Sequence, residues 1–338
     1  MHNILFKMEL QCPALRVPET DFGDFYSLAG KFFNRSNKNE FIMLGFSNNQ
    51  EMSIPLFLLF LIVYLFTVVS NFSIFGAISI DTHLQKPMYF FICNMSLIDI
   101  CYSTVTTPSL LQLVLKGIKR ISFQGCMTQL FFFNSFGSME YMLLTSMAYD
   151  RYVAICHPLS YHLLMNRGIC LTLAITAWGM GFMAAFPLSF LISSLCFCES
   201  SQINHFFCDL TPLLAIACDD TSTTEYVVYT EGVLFVFSCF LLTLISYIYI
   251  ISAILKIRSS NGRSKAFSTC ASHLTIVILF YLMIACLYMK PTSSYSLDEG
   301  KSLSVLYVII IPMLNPIRYS LRNNDVKEAF KRLILANY

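Results

Sequence analysis

Seven long apolar stretches constrain this chain of 338 residues more than any other feature of its sequence. The hydrocarbon core of a bilayer needs about 20 apolar residues per helix. Backbone polar groups cannot stay unpaired in lipid, so each stretch must form a helix. The stretches are 54–80, 88–115, 127–149, 169–192, 226–255, 267–288 and 303–319. They predict an all-α membrane protein, a seven-transmembrane helix bundle.

Composition supports this class and disfavours several others. The chain is 56% hydrophobic and 12% charged, whereas a soluble domain carries about 25% charged residues. A net charge of +2 gives no sign of a nucleic-acid partner. The sequence has no nucleotide-binding glycine loop, zinc-protease helix or nucleophile–base–metal set, so we do not expect an enzyme. The two halves show no repeat, which disfavours a transporter built on internal symmetry.

Basic residues in the loops predict the orientation. Of 22 Lys and Arg, 12 lie on one side of the spans, 5 on the other and 5 in the N-terminal tail. The loop 193–225 has no Lys or Arg and carries five acids. Because cytoplasmic loops are enriched in Lys and Arg, we expect a multi-pass plasma-membrane protein. Its parts are an outer tail (1–53), a membrane domain (54–319) and a cytoplasmic tail (320–338).

The third stretch ends in the sequence MAYDRYVAICHP (147–158), which includes Asp150, Arg151 and Tyr152. An acid and an arginine at the mouth of a membrane helix are costly and are rarely present without a role. Side by side they can pair, which lowers the cost and lets the arginine exchange partners. The alternative is an arginine that extends to the interface and only marks it.

Five further motifs accompany this one: PMYFF (87–91), SLID (96–99), KAFSTCASHL (265–274), PMLNP (312–316) and YSLRN (319–323). Together they resemble the olfactory receptors among the rhodopsin-like G-protein-coupled receptors, in their tetrapod-type (class II) form. The resemblance runs from Asn34 to the C-terminus, so residues 1–33 look like an atypical extension.

The resemblance implies a function. An olfactory receptor binds small volatile odorants in a transmembrane pocket and activates a stimulatory, olfactory-type heterotrimeric G protein, which raises cAMP. Its other partners are the lipid bilayer and trafficking chaperones. One alternative is a chemoreceptor of this family for a metabolite outside the olfactory epithelium. Another is a transporter or channel, which would need a continuous polar path where this chain has few intramembrane charges.

The resemblance also assigns a set of activation and G-protein coupling residues. Pro316 leaves a backbone carbonyl without its helical partner, which eases local rearrangement. Arg318 departs from the aliphatic residue usual in the family, and it either extends to the interface or weakens the inactive state. The assigned residues are Asp150, Arg151, Tyr152, Tyr247, Lys265, Asn315, Pro316 and Tyr319.

Asp99 and Glu140 are the acids well inside the second and third spans. Two buried carboxylates near each other repel, so one takes a proton or a cation sits between them. The resemblance favours a sodium site that holds the inactive state, and no other cofactor is expected. The alternative is a pair of protonated or hydrogen-bonded acids with a structural role.

Thirteen cysteines is an odd number, so at least one stays unpaired within the chain. Four lie in or beside segments expected outside the cell, and four cysteines allow three pairings. The resemblance implies the bonds Cys126–Cys208 and Cys198–Cys218, with Cys196 as a competitor for the second. A rival interpretation makes His205 and Cys208 metal ligands, although two ligands are few. Asn34 begins a glycosylation sequon in the outer tail.

The resemblance places the ligand pocket in the outer halves of the third, fifth, sixth and seventh helices. A pocket of this composition favours a small, mostly apolar molecule. Glu231 departs from the small or neutral residue usual there, and it would donate a hydrogen bond when protonated or attract an amine when ionised. The candidate contacts are Leu130, Phe133, Asn134, Gly137, Ser138, Val228, Glu231, Gly232, Phe235, Tyr281, Ile284, Ala285, Tyr288, Val305 and Val308.

The segment 322–335 predicts a short amphipathic helix on the inner membrane surface. Val326, Ala329, Phe330 and Leu333 fall on one face of such a helix. Lys327, Lys331 and Arg332 supply a basic side suited to anionic lipid.

Overall fold

The computed structural model of the protein describes residues 40–45, 50–197, 202–288, 297–321 and 324–335. Long helices dominate this part of the chain, and each predicted span coincides with one of them. In chain order the long helices are α1 (Gln50–Ile80), α2 (Pro87–Lys116), α3 (Phe123–Cys156), α4 (Arg167–Ser193), α5 (Ser222–Leu255), α6 (Ser260–Tyr288), α7 (Leu297–Leu321) and α8 (Asn324–Leu335).

Hydropathy alone identifies fewer spans than the fold contains. Among the described residues, α1, α2, α4, α5 and the Gly300–Ile317 part of α7 are long and apolar enough to cross a membrane. The apolar part of α6, His273–Cys286, is shorter. Helix α3 does not qualify because it carries polar residues along its length, and neighbouring helices cover many of them. A helix surrounded by protein does not need a continuous apolar surface.

Helix α3 lies at the centre of the bundle. It packs on α2, α4 and α5, while α7 packs on α1 and α2. At Gly181 of α4 a Cβ atom would lie only 2.5 Å from the Met139 side chain and 2.9 Å from the Ser135 carbonyl oxygen of α3. The two backbones can therefore approach this closely only because position 181 lacks a side chain, as is common between membrane helices.

A three-stranded sheet caps one end of the bundle, which we call the sheet end. Its strands are β1 (Glu40–Leu44), β2 (Ile118–Ser122) and β3 (Gln202–Ile203). The central strand β1 pairs antiparallel with β2 and parallel with β3. The all-α expectation therefore missed one element. Its apolar side chains Phe41, Met43 and Ile203 are buried over the helices.

The described part of helix α8, Asn324–Leu335, lies at the opposite end, which we call the tail end. Val326 and Ala329 are buried, as the amphipathic pattern predicts. Arg332, predicted to face anionic lipid, also has a protein partner, because its guanidinium donates two hydrogen bonds, of 2.7 and 3.1 Å, to Asp81 after α1. The Asp81 side chain is 7% exposed, and these hydrogen bonds lower the pKa of its carboxyl.

Candidate functional site

The acid and the arginine at the tail end of α3 do not form an ion pair with each other. Asp150 is buried and accepts a hydrogen bond of 2.8 Å from the Tyr161 hydroxyl, in the loop that follows α3. No ion pair joins Asp150 to Arg151 in the described part of the chain. Consecutive residues on a helix point in different directions, which accounts for the failure of this expectation. The Arg151 Nε lies buried without a hydrogen-bond partner.

A buried hydrogen bond joins α5 to α6 near the same end. The Tyr247 hydroxyl lies 2.6 Å from the His273 Nδ1, and their rings stack at 5.9 Å. Both belong to the tail-end half of the bundle, where Tyr247 packs with Ala148 of α3 and Cys270 of α6. His273 lies within a quoted motif, but its role as the partner of Tyr247 was not predicted. The side chains of the remaining assigned residues Lys265 and Tyr319 fall outside the described part.

Three buried polar side chains meet at the centre of the bundle. The Asn315 amide of α7 donates to both carboxyl oxygens of Asp99, at 3.0 and 3.1 Å. Glu140 of α3 is also buried and lies close enough to Asp99 to interact with it electrostatically. Glu140 Oε1 and Asn315 Oδ1 are buried acceptor oxygens without a hydrogen-bond partner. Oxygen acceptors of this kind are the ligands that hard cations prefer, so the residues fit a sodium ion.

Aromatic side chains fill the part of the bundle beneath the sheet. Phe133 of α3 packs on Phe207 of the loop before α5, with ring centroids 4.5 Å apart, and on Tyr102 at 5.0 Å. Tyr102 also meets Tyr307 of α7 edge-on at 5.9 Å. Phe207 is fully buried. Phe207 therefore borders the predicted pocket, although the sequence analysis did not name it as a contact residue.

The predicted contact residues occupy this region with varied exposure. Leu130, Phe133 and Val308 are buried, and the Asn134 amide donates to the Leu130 carbonyl within its own helix at 3.0 Å. The partly buried members are Gly137, Ser138, Val228, Glu231, Gly232, Phe235, Tyr281, Ile284, Ala285 and Val305. The Tyr288 side chain lies outside the described part.

Helix α5 changes its winding immediately after Glu231. Residues Gly232–Phe237 form a π-helical segment between the α-helical parts Ser222–Glu231 and Ser238–Leu255. Such segments are rare and occur often at functional sites. Nothing in the residue pattern predicts this one.

A second polar group lies where α3, α5 and α6 meet, and the sequence analysis did not identify it. The Thr145 hydroxyl of α3 lies 3.2 Å from the Thr243 hydroxyl of α5 and 3.3 Å from the Cys239 carbonyl oxygen. Tyr141, one turn before Thr145, is buried with its hydroxyl beside Ser138. The spacing of Ser138, Tyr141 and Thr145 by three and four residues was the available signal, since it places three hydroxyls on one face.

The loop between α4 and α5 is bonded to α3. The structure contains the Cys126–Cys208 disulfide, with Cα atoms 5.4 Å apart. Beside it, Gln129 accepts from the Cys208 N–H at 3.0 Å and donates to the Val105 carbonyl of α2 at 2.7 Å. Cys218 is also disulfide-bonded, and its predicted partner Cys198 lies outside the described residues, as does Asn34.

The rival metal interpretation of His205 and Cys208 finds no support. The Cys208 sulfur is engaged in a disulfide, and the described residues contain no group of three His, Cys, Asp or Glu suited to a metal. Burial and the nearby Lys301 ammonium lower the pKa of His205 to about 3. His205 is therefore a neutral, buried loop residue.

Lys301 of α7 joins three parts of the sheet end. Its ammonium donates to the carbonyl oxygens of Leu44 and Gly45, both at 2.7 Å, and to Asn204 Oδ1 at 3.1 Å. Lys301 is 3% exposed. An ammonium has three N–H donors, so these acceptors match its capacity. This clasp holds β1 and the loop after α4 against α7.

Two concavities among the described residues lie elsewhere, along the outward face of α4. Their volumes are about 490 and 440 Å³, and aromatic residues such as Phe131, Trp178 and Phe182 line them. None of the predicted ligand contacts belongs to either. Both open widely to the surroundings, so we base the ligand site on the polar groups inside the bundle.

Comparisons with known proteins agree with this architecture. A model of the olfactory receptor family matches residues 60–337. The chain is 46% identical to human "Olfactory receptor 8U1" over 303 residues, which cover 89% of this chain and 98% of that protein. It is 48% identical to mouse "Olfactory receptor 5AP2" over 305 residues, 90% of this chain and 96% of the relative. The chain therefore belongs to the olfactory receptor family, whose members are seven-helix G-protein-coupled receptors and not enzymes.

Proposed function

We propose that the protein binds small, mostly apolar odorants between α3, α5, α6 and α7 and activates a stimulatory heterotrimeric G protein, which raises cAMP. The protein would lie in the plasma membrane with its sheet end outside and its tail end in the cytoplasm. Family membership is the observation that carries this proposal. The excess of Lys and Arg at the tail end supports the orientation.

The interior of the bundle supports an odorant of this kind. Aromatic rings around Phe133 offer dispersion contacts, and few polar groups interrupt them. Such a ligand gains at most about 1.5 kcal/mol per heavy atom. A small odorant should therefore bind with modest affinity.

A cAMP reporter assay in cells that contain the olfactory G-protein α subunit tests the proposal. An odorant panel should include at least one agonist, and Arg151→Ala should abolish its response at equal surface expression. Arg120→Ala is the matched control, since Arg120 is an exposed arginine at the sheet end. A normal response of Arg151→Ala contradicts the coupling role, and a silent wild-type receptor at the cell surface contradicts the function.

A sodium ion bound by Asp99, Glu140 and Asn315 forms part of the same proposal. The unpartnered oxygens of Glu140 and Asn315 support it, because a cation would satisfy both. A cation there would stabilise the arrangement in which α2, α3 and α7 are joined. Replacing sodium by a large organic cation should raise basal cAMP in the wild-type receptor but not in the Asp99→Asn/Glu140→Gln variant. An equal sodium response in both counts against the site.

A further inference from the structure

Glu231 is a partly buried carboxylate on the inward face of α5. Val228 and Phe235, three residues before it and four after it, pack against the core. Val233 and Leu234, which point away, are 45% and 61% exposed. Residues three and four apart share one face of a helix, so Glu231 points between the helices. It lies within electrostatic range of the buried Tyr141 of α3.

This carboxylate has no partner in the described part of the chain. No hydrogen bond or ion pair there includes Glu231. An ionised carboxylate away from water is unfavourable unless a cation or a hydrogen-bond donor accompanies it. The described part of the protein therefore supplies no positive group to accompany the Glu231 carboxylate.

Space for such a group lies beside Glu231. The inner segment Ser238–Leu255 packs along α3, whereas Ser222–Glu231 makes its main contacts with α4. The π-helical segment separates the two. Room therefore remains between α3 and the sheet-end part of α5.

Two hydroxyls line the same space from α3. Helices α3 and α5 both begin at the sheet end, and side chains lean toward the start of their helix. Tyr141 lies one turn nearer the sheet end than Thr145. Its side chain therefore leans toward the level of Glu231, with its hydroxyl beside Ser138. A protonated amine needs a counter-ion and hydrogen-bond acceptors, and this group offers one carboxylate and two hydroxyl oxygens.

The mouth of the bundle favours the approach of a cation. The loop 193–225 at the sheet end has no Lys or Arg, and it includes Asp219 and Asp220. The nearby Lys301 ammonium is already held by three oxygen atoms. The negative charge of this loop raises the local concentration of cations beside it.

We infer that the cleft between α3 and α5 binds the ammonium group of a small aliphatic amine, with Glu231 as its counter-ion and Tyr141 and Ser138 as hydrogen-bond acceptors. The amine carbon skeleton then packs toward the aromatic residues around Phe133. This inference rests on the proposed function and names a ligand class for its pocket.

Matched amine and alcohol pairs that share a carbon skeleton, such as 3-methylbutylamine and 3-methylbutan-1-ol, test the inference in the cAMP assay. Wild-type receptor should respond to amines at lower concentration than to their alcohols. Glu231→Gln should raise the half-maximal amine concentration roughly 10- to 100-fold, the scale of a lost charged hydrogen bond, and leave alcohols nearly unchanged. Tyr141→Phe should act in the same direction with a smaller shift.

Glu225→Gln is the control, because Glu225 is an exposed acid six residues earlier in the same helix. Surface labelling of every variant separates a lost contact from a lost protein, and Glu231→Asp should retain part of the amine response. An unshifted amine response in Glu231→Gln overturns the inference. So does a wild-type receptor that responds to odorants but to no amine, an outcome that leaves the proposed function intact.

Discussion

Replacing Lys301 by methionine should loosen the sheet without displacing the helices. Methionine keeps most of the side-chain length but removes three charged hydrogen bonds of 2.7–3.1 Å. Each such bond contributes about 1.5–3 kcal/mol. The freed carbonyls of Leu44 and Gly45 lie near the end of the bundle and can bind water. We therefore expect a net loss of about 2–4 kcal/mol, below the sum of the three.

Hydrogen exchange of the β1 amides measures this loss directly. A free-energy difference of 1.36 kcal/mol corresponds to a factor of ten in an equilibrium constant. A local opening that becomes easier by about 2–4 kcal/mol should therefore speed exchange roughly 30- to 1,000-fold. The amides of α3 around Leu143 should exchange as before. The receptor should be purified in lipid nanodiscs, so that the helices keep their surroundings.

Arg120→Met is a demanding control because it also removes a charge that contacts β1. Its pair with Glu40 is 4.0 Å long, and both side chains are more than 60% exposed. Exposed pairs of this kind contribute about 0–1 kcal/mol, so exchange of β1 should change little. If Lys301→Met is no faster than Arg120→Met, the buried clasp does not hold the strand.

Three further perturbations have definite expected outcomes. Cys126→Ser should prevent surface delivery, because the bond to Cys208 closes a loop with a sequence separation of 82 and such loops contribute about 4.5 kcal/mol; normal delivery and signalling would contradict this. Arg332→Ala should speed hydrogen exchange in α8 by about tenfold or more through the unpaired Asp81, whereas exchange should not change in Lys331→Ala. The sheet-end loop should lose stability as the pH falls from 6.5 toward 3, because the unfolded chain protonates His205 first. The melting temperature measured over pH 6.5–4.5 should therefore fall less steeply in His205→Gln than in the wild-type protein. Equal slopes would refute the assignment.

The sequence predicted features that depend on neighbouring residues or on composition. The seven apolar stretches correspond to α1–α7, and the periodicity of Val326 and Ala329 correctly gave the buried face of α8. Hydrophobic spacing has a local cause, since lipid or protein must cover each face. The family motifs added the Cys126–Cys208 bond, which spacing alone left as one of three pairings.

Features that depend on distant partners were missed. Strand β1 pairs with β2 in a register that places Glu40 opposite Ser122. No local pattern in the five residues of β1 specifies that register. Arg332 was assigned to lipid because its helix is basic, although Asp81 lies 251 residues away along the chain. Tyr161 was also overlooked as the partner of Asp150, because it lies beyond the end of α3, 11 residues further along the chain.

The position of β1 has a consequence for how the protein is made. Its strand partners lie in later parts of the chain, and Lys301 follows Leu44 by 257 residues. At about 5–20 residues per second, a ribosome needs roughly 10–50 s to reach Lys301 after it has completed β1. Until Ile203 has been made, one edge of β1 has no strand partner and remains open to other chains. We therefore expect β1 to reach its final, clasped position only after the last membrane helix has been made.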